Sequence, residues 1–380
     1  MRVLFASTRG TGHFTPLIPL IEACLRGGHE VMVAGPPPLA ETVERAGYRF
    51  WEGAEPSEEE LGPVWGRVPT VSHEEANAIV VGEIFGGLNV RAMLPSLEAA
   101  CTEWRPDLLI REQAEFASAI AAERHGVRHV RVGVSLAGLE QMGMELAGPR
   151  LDEQQPGVAE RIWDSPYLTY LPAGLEDPES ERPPATQRMR YPAPARAARE
   201  SPPLVYVSFG TVAARMPVAG ALYSAAVEAA AGLPAQVLLA LGNRDADVGA
   251  LGALPANLRV EPWVDPAEVL ARADAAVSHG GFGTTMGAIA AAVPLVVVPL
   301  FGDQPDNARR VEAAGLGVVV WPDADVPGEA IRSSIDPAAL RGAVETVLGE
   351  PAYGRVAEQL AAEMSALPAV DEVVAALTAS

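Results

Sequence analysis

The sequence predicts an α/β protein of two doubly wound domains with parallel sheets, facing a central cleft. Three observations predict it. Short apolar runs alternate with segments at helical spacing in both halves of the chain. A proline-rich interruption separates the halves. The length of 380 residues suits two domains of about 150–200 residues, and 49% apolar composition gives each a core.

The elements follow in order. Val3–Ala6 reads as a buried strand, and Pro16 to Arg26 as a helix with proline in its first turn, stopped by Gly27-Gly28. Val31–Ala34 is a strand, Leu39–Ala46 a helix and Tyr48–Trp51 a strand. Residues 55–75 are acidic, contain Pro and Gly, and read as a loop or irregular segment. A helix over Val90–Trp104 precedes the strand Leu108–Arg111, the helix Phe116–His125 and the strand Val127–Val134. Residues 176–203 carry seven prolines and break the pattern. The alternation then restarts with strands at Leu204–Ser208, Gln236–Ala240, Leu258–Glu261, Ala275–Ser278, Leu295–Pro299 and Gly317–Val320. Helices are read at Pro217–Ala231, Thr284–Ala291 and Gln304–Ala314, and from about Pro337 to Leu377. The domains are drawn as an N-terminal domain 1–190, a linker 191–203, and a C-terminal domain 204–362. A C-terminal helix, 363–380, is drawn as packing back on the first domain.

Composition excludes several classes. A net charge of −21 argues against nucleic acid or an anionic membrane as a partner. The chain contains no lysine, which removes a Walker-A phosphate loop, a Schiff-base aldolase and a pyridoxal-phosphate enzyme together. Cys24 and Cys101 form neither a disulfide framework nor a metal site. No stretch approaches the ~20 apolar residues of a membrane span, and the first strand is too short for a signal peptide. A cytoplasmic protein is expected, and a homodimer is left open.

Two segments carry chemistry. Ser278-His279-Gly280-Gly281-Phe282-Gly283-Thr284-Thr285 follows a strand and opens a helix. Its glycines let backbone approach a ligand, and the free N–H groups of a helix start favour a phosphate. A local N–H cluster can therefore hold a diphosphate on an acidic protein, although a plain strand–helix turn has the same pattern. The second segment, Gly10-Thr11-Gly12-His13-Phe14-Thr15-Pro16, follows the first strand at its carboxyl end, where ligands gather in open α/β sheets. Asp245-Ala246-Asp247 has a metal-site spacing but reads as a loop coincidence, and the arginines at 188–199 read as solvated linker.

The segment His279-Gly-Gly-x-Gly-Thr, with Val293-Pro294-Leu295 and Asp303-Gln304-x-x-Asn307-Ala308, resembles the donor signature of family 1 glycosyltransferases. Trp263-Val264 resembles the family's base-stacking tryptophan, and Ser208-Phe209-Gly210-Thr211 its interdomain turn. Order and spacing match over about 1–50, 100–135 and 204–350, and the likeness is strongest to actinobacterial natural-product glycosyltransferases. The resemblance implies two Rossmann-like domains (GT-B type). It implies an acceptor-binding N-terminal domain and a nucleotide-sugar-binding C-terminal domain, in which His279, Gly281, Gly283 and Thr284 hold the pyrophosphate, Trp263 and the Val264 backbone hold the base, Asp303 and Gln304 hold the sugar, and Ser208, Gly210, Thr211 and Gly280 complete the nucleotide-sugar site. It places the catalytic base on His13. Alignment on Gly126-Val127 puts the orienting carboxylate at Glu112, with Glu115 and Asp107 as weaker candidates.

Many UDP-sugar enzymes of this family carry a glutamate eight residues after the motif histidine, where it holds both ribose hydroxyls. Gly287 stands there in this chain, which points to a dTDP-sugar donor, a deoxyhexose among them. The expected function is an inverting, metal-independent transfer of a hexose from dTDP- or UDP-sugar to a hydroxyl of a small-molecule natural product, with no cofactor. Phe14, Phe85, Met142, Met144 and Trp163 are candidate acceptor-lining residues. A sugar-nucleotide epimerase of the same fold and a non-catalytic partner protein are the alternative readings.

Overall fold

The computed structural model describes residues 1–197, 201–322 and 334–379. The chain forms two compact units. One comprises Met1–Tyr170, Asp177–Arg190 and the segment from Leu367 on; the other comprises Leu171–Glu176 and Tyr191–Ala366.

The first unit holds a seven-stranded parallel sheet. Its strands are β1 (Arg2–Ala6), β2 (Glu30–Gly35), β3 (Phe50–Glu52), β4 (Leu108–Glu112), β5 (Arg128–Val132), β6 (Tyr167–Thr169) and β7 (Thr186–Arg188), in the order β3-β2-β1-β4-β5-β6-β7. Val3, Leu4, Phe5 and Ala6 are wholly buried, as a central parallel strand covered on both faces requires. Leu4, Leu109, Leu97, Ile120, Leu151 and Ile162 belong to the core on one face. The order in which strands are added reverses between β1 and β4, which makes their carboxyl ends a switch point.

The second unit holds a six-stranded parallel sheet. Its strands are β8 (Leu204–Ser208), β9 (Gln236–Ala240), β10 (Leu258–Glu261), β11 (Ala275–Ser278), β12 (Leu295–Val297) and β13 (Gly317–Val319), in the order β10-β9-β8-β11-β12-β13. Its switch point lies between β8 and β11. Val205, Val207, Val277, Val296 and Leu239 pack with the helices Ala219–Ala230 and Pro337–Gly349.

Several expectations change. Residues 55–75 are not irregular: Glu58–Trp65 and His73–Asn77 are helices. Each opens with a capping box, Ser57 with Glu60 and Ser72 with Glu75. The second helix continues to Glu103, through a wider π-wound stretch at Ala78–Asn89. This run, His73–Glu103, is long and apolar enough to cross a membrane by length and composition, yet half of its most apolar window is buried inside the protein. Glu83 and Asn89 interrupt it, so a search for unbroken apolar runs passes over it.

Two helices, Ala137–Gln154 and Val158–Asp164, fill a region with no expected elements. Thr186–Arg188 is an edge strand inside the proline-rich span. Residues 191–197 are fastened to the second unit. The Arg196 guanidinium donates to the carbonyls of Ala291, Ala292 and Ala273, and the Ala197 N–H donates to Ala271. Arg196 is thus a helix-end cap and not a solvated linker residue; residues 198–200 of the expected linker lie outside the described residues.

The helix Val370–Thr378 packs on Ile18–Arg26 in the first unit, where Arg26 makes two hydrogen bonds to Asp371 at 2.9 and 3.0 Å. The neighbouring Arg190 N–H and guanidinium donate to Pro368 and Leu367 carbonyls.

Candidate active site

In the first unit, the chain leaves β1 into a helical turn, Thr11–Phe14, that carries His13. Glu112 ends β4, the strand beside β1. Their side chains meet across the switch point, with His13 Nδ1 3.0 Å from a Glu112 oxygen. Glu112 is wholly buried, and its oxygens also accept the Ala114 N–H at 2.7 Å and the Thr8 N–H at 3.2 Å. Burial alone would raise its pKa. The adjacent His13, its hydrogen bond, and the two backbone donors outweigh that and hold the carboxyl below its usual range. Glu112 is therefore the ionised partner that fixes Nδ1–H on His13 and leaves Nε2 as the acceptor. The His13 side chain is 30% exposed, so the imidazole is open to a ligand while its carboxylate is not.

The loop that carries Glu112 is braced from below. Arg111, also wholly buried, donates from one guanidinium nitrogen to the carbonyls of Glu112, Gln113 and Glu115 at 3.1, 2.9 and 3.3 Å. Burial, and then the neighbouring Arg131, push its pKa down to about 10. The two weaker carboxylate candidates have structural work elsewhere. Glu115 accepts the Ser118 N–H at the start of the helix Ala117–His125, and Asp107 accepts the Arg2 N–H.

The acceptor-lining candidates divide. Phe85 is half-buried and stands edge-on to the His13 ring, with centroids 5.8 Å apart. Met142 and Met144 are half-buried on the helix Ala137–Gln154, Met144 against the core. Phe14 is wholly buried and cannot line a pocket. Trp163 stacks on buried Arg131, 5.5 Å from its centroid, and receives an Arg131 hydrogen bond on its carbonyl. Its ring and carbonyl are thus engaged by Arg131, near the end of β5.

The second unit repeats this logic. Ser208 and Ser278 end β8 and β11 in register. Gly210 and Gly280 follow in the left-handed region, with φ of 81° and 79°, so each strand turns sharply into a helix. The helix Phe282–Ala290 begins at Gly281, which has no side chain to cap its first N–H groups. Gly283 and Thr284 lie in its first turn. The His279 ring is packed between two glycines. A Cβ on Gly210 would lie 2.7 Å from it, and one on Gly281 would lie 2.4 Å from it. Burial lowers the His279 pKa to about 4, so this imidazole is neutral at physiological pH.

Thr211 lies in the short helix Gly210–Ala213. Trp263 follows β10 and is 38% exposed, with Val264 beside it. Asp303 precedes the helix Gln304–Ala313 and accepts from Asn307. Gln304 is buried and spends its amide oxygen on the N–H groups of Leu300 and Phe301. Asn307 was not among the expected site residues. It is buried and donates at 2.8 Å both to the Gly280 carbonyl and to Asp303, tying the glycine turn to the acidic residue. Its place in the Asp303-Gln304-x-x-Asn307 pattern was the signal. Gly287 faces Leu270 and Tyr191: a Cβ there would lie 3.1 Å from Leu270 and 4.0 Å from Tyr191.

Among the described residues no group of three His, Cys, Asp or Glu side chains is placed to hold a metal. Asp247 is a helix cap, accepting the Gly249 N–H.

Two doubly wound parallel sheets, each with a polar cluster at its switch point, make up the two-Rossmann-domain (GT-B) fold. The models for erythromycin biosynthesis protein CIII-like proteins match in both halves, the N-terminal domain over residues 23–156 and the C-terminal domain over 224–380. The chain is 30% identical to elloramycin glycosyltransferase ElmGT of Streptomyces olivaceus over 400 residues, covering 99% of this chain and 97% of that one. It is 30% identical to L-demethylnoviosyl transferase of Streptomyces niveus over 402 residues, covering 100% and 98%. The crystal structure of glycosyltransferase VinC in complex with dTDP is similar with a TM-score of 0.72 at 25% identity, covering 100% and 99%. The chain belongs to this family of natural-product glycosyltransferases and is an enzyme that transfers a sugar.

Proposed function

We propose that the enzyme moves a hexose, in one inverting and metal-independent step, from a dTDP-sugar to a hydroxyl of a small-molecule natural product. The observation that carries the reading is the His13–Glu112 pair: an exposed imidazole held in one tautomer by a buried anion is built to take a proton from an alcohol. In this mechanism His13 Nε2 accepts the acceptor proton as its oxygen attacks the anomeric carbon. The bond to the diphosphate breaks on the opposite face. Charge grows on the leaving diphosphate, and the uncapped N–H groups of Phe282–Thr284 with neutral His279 meet it. Ser208, Gly210 and Thr211 approach the same phosphates. Trp263 and the Val264 backbone hold the base, and Asp303 with the Gln304 NH2 group orients the sugar. Phe85, Met142 and Met144 contact the acceptor near His13.

The lean to dTDP rests on Gly287. A carboxylate there is useful only to a ribose with both hydroxyls, and Leu270 crowds the position against a longer side chain. That the related VinC was solved with dTDP supports the same donor. The test is the thermal shift of the protein with dTDP, UDP, ADP and GDP, with and without magnesium. A larger shift with dTDP than UDP, unchanged by magnesium, is expected. Equal shifts with dTDP and UDP, or a preference unaltered in Gly287→Glu, would remove the donor assignment.

A further inference from the structure

Arg244 lies in the loop after β9, and its guanidinium sits 3.6 Å from the centroid of the Trp263 ring. That is a stacking distance, and a flat delocalised cation covers an indole face much as a pyrimidine does. The loop is fixed there by backbone: the Asn243 N–H donates to the Pro262 carbonyl at 3.1 Å, one residue from Trp263. Sheet order places this loop beside the glycine turns. β9 lies between β10, which leads to Trp263, and β8 with β11, which lead to the glycine turns. Arg244 therefore comes from the strand that lies between Trp263's own strand and the strands of the glycine turns.

We propose that Arg244 is a placeholder for the nucleobase. Its guanidinium covers the indole face that the base takes, and on nucleotide binding it leaves that face and pairs with the diphosphate. The inference rests on Trp263 being the base platform. Arg244 then serves specificity twice. A nucleoside has to displace the cation without compensation, whereas a nucleoside diphosphate supplies the anion that receives it. The site thereby discriminates against dephosphorylated nucleosides, on a protein whose overall charge of −21 repels anions.

The experiment measures the affinity of thymidine and of dTDP, by calorimetry, for wild type, Arg244→Ala, Arg244→Lys and Trp263→Ala. Arg244→Ala is expected to bind thymidine about threefold more tightly, because a cation–π contact is no longer broken. The same variant is expected to bind dTDP about tenfold more weakly, with less dependence on salt, because a charge pair is lost. Arg244→Lys should keep most of the dTDP affinity. If Arg244→Ala weakens both ligands alike, Arg244 only props the indole from behind and the placeholder role is wrong. If it changes neither, the role is also wrong. Trp263→Ala separates the underlying reading: if dTDP binding survives that change intact, Trp263 is not the base platform, whatever Arg244 does.

Discussion

Ser208 and Ser278 stand opposite one another on neighbouring strands, and each hydroxyl accepts the N–H of the glycine two residues ahead, Gly210 and Gly280. The two turns are thus built alike and side by side, with the His279 ring filling the space that any side chain on Gly210 or Gly281 would need.

Gly281→Ala is therefore expected to damage ligand binding more than folding. Gly281 has a φ of −63°, so alanine meets no backbone strain, but its Cβ would collide with the His279 ring. The ring must move from the helix start. We expect dTDP affinity to fall by about tenfold, the worth of one charge-assisted hydrogen bond. A double-mutant cycle with His279→Ala should show strong coupling; additive losses would refute the steric account.

His13→Ala should abolish transfer and spare the donor site. Loss of a general base costs about 10²–10⁴-fold in kcat. Affinity for dTDP should be unchanged, because every proposed donor contact belongs to the other unit. Retained turnover with an acceptor that the wild type uses would remove His13 from the chemistry.

Glu112→Gln tests the buried anion by pH. Because the Glu112 pKa is depressed in the fold, its contribution to stability is present above the unfolded value of about 4.3 and is lost as pH falls through the folded value. Wild type should be more stable than Glu112→Gln at pH 7 in urea denaturation, with the gap closing below about pH 4. A gap independent of pH would mean that Glu112 acts by shape alone.

His279 has the opposite pH signature from an ion-paired histidine. The folded imidazole titrates near pH 4, and a free one near 6.5. Between those values the unfolded chain binds a proton that the folded chain does not, so stability declines as pH drops from about 6.5 toward 4. His279→Asn should lose less melting temperature than wild type between pH 7 and pH 5. Equal losses would show that His279 is not held neutral.

Asn307→Ala should cost about 2 kcal/mol, since the Gly280 carbonyl and Asp303 both lose a buried donor. Chemical denaturation measures this directly. A neutral result would mean that water replaces the amide.

The sequence shows three inner strands of the second sheet to the residue: Leu204–Ser208, Gln236–Ala240 and Ala275–Ser278. Such strands are buried on both faces and read as apolar runs between Gly, Pro and charged residues. The edge strand Thr186–Arg188 carries no such pattern, because one neighbour and the sheet edge decide its pairing. The helices at 58–65 and 73–77 were legible in Ser57-x-x-Glu60 and Ser72-x-x-Glu75, but acidic composition and prolines masked the caps. At the site, positions could be read and partners could not. His13 and Glu112 come together from residues 99 apart, and the other donors to Glu112 are backbone N–H groups of Thr8 and Ala114, which no residue type reveals. The partner of Trp163 was equally hidden: Arg131 is a buried arginine in a strand, which composition gives no reason to expect.

The first unit takes its closing helix, Val370–Thr378, from beyond the 176 residues of Tyr191–Ala366, which build the second unit. During synthesis, the surface of Ile18–Arg26 that this helix covers emerges early and waits. At about 5–20 residues per second, the delay from Arg190 to Leu367 is roughly 10–35 s. The order of completion is thus inverted relative to the order of emergence: the second unit can finish folding on the ribosome while the first, though begun earlier, stays open along one helix.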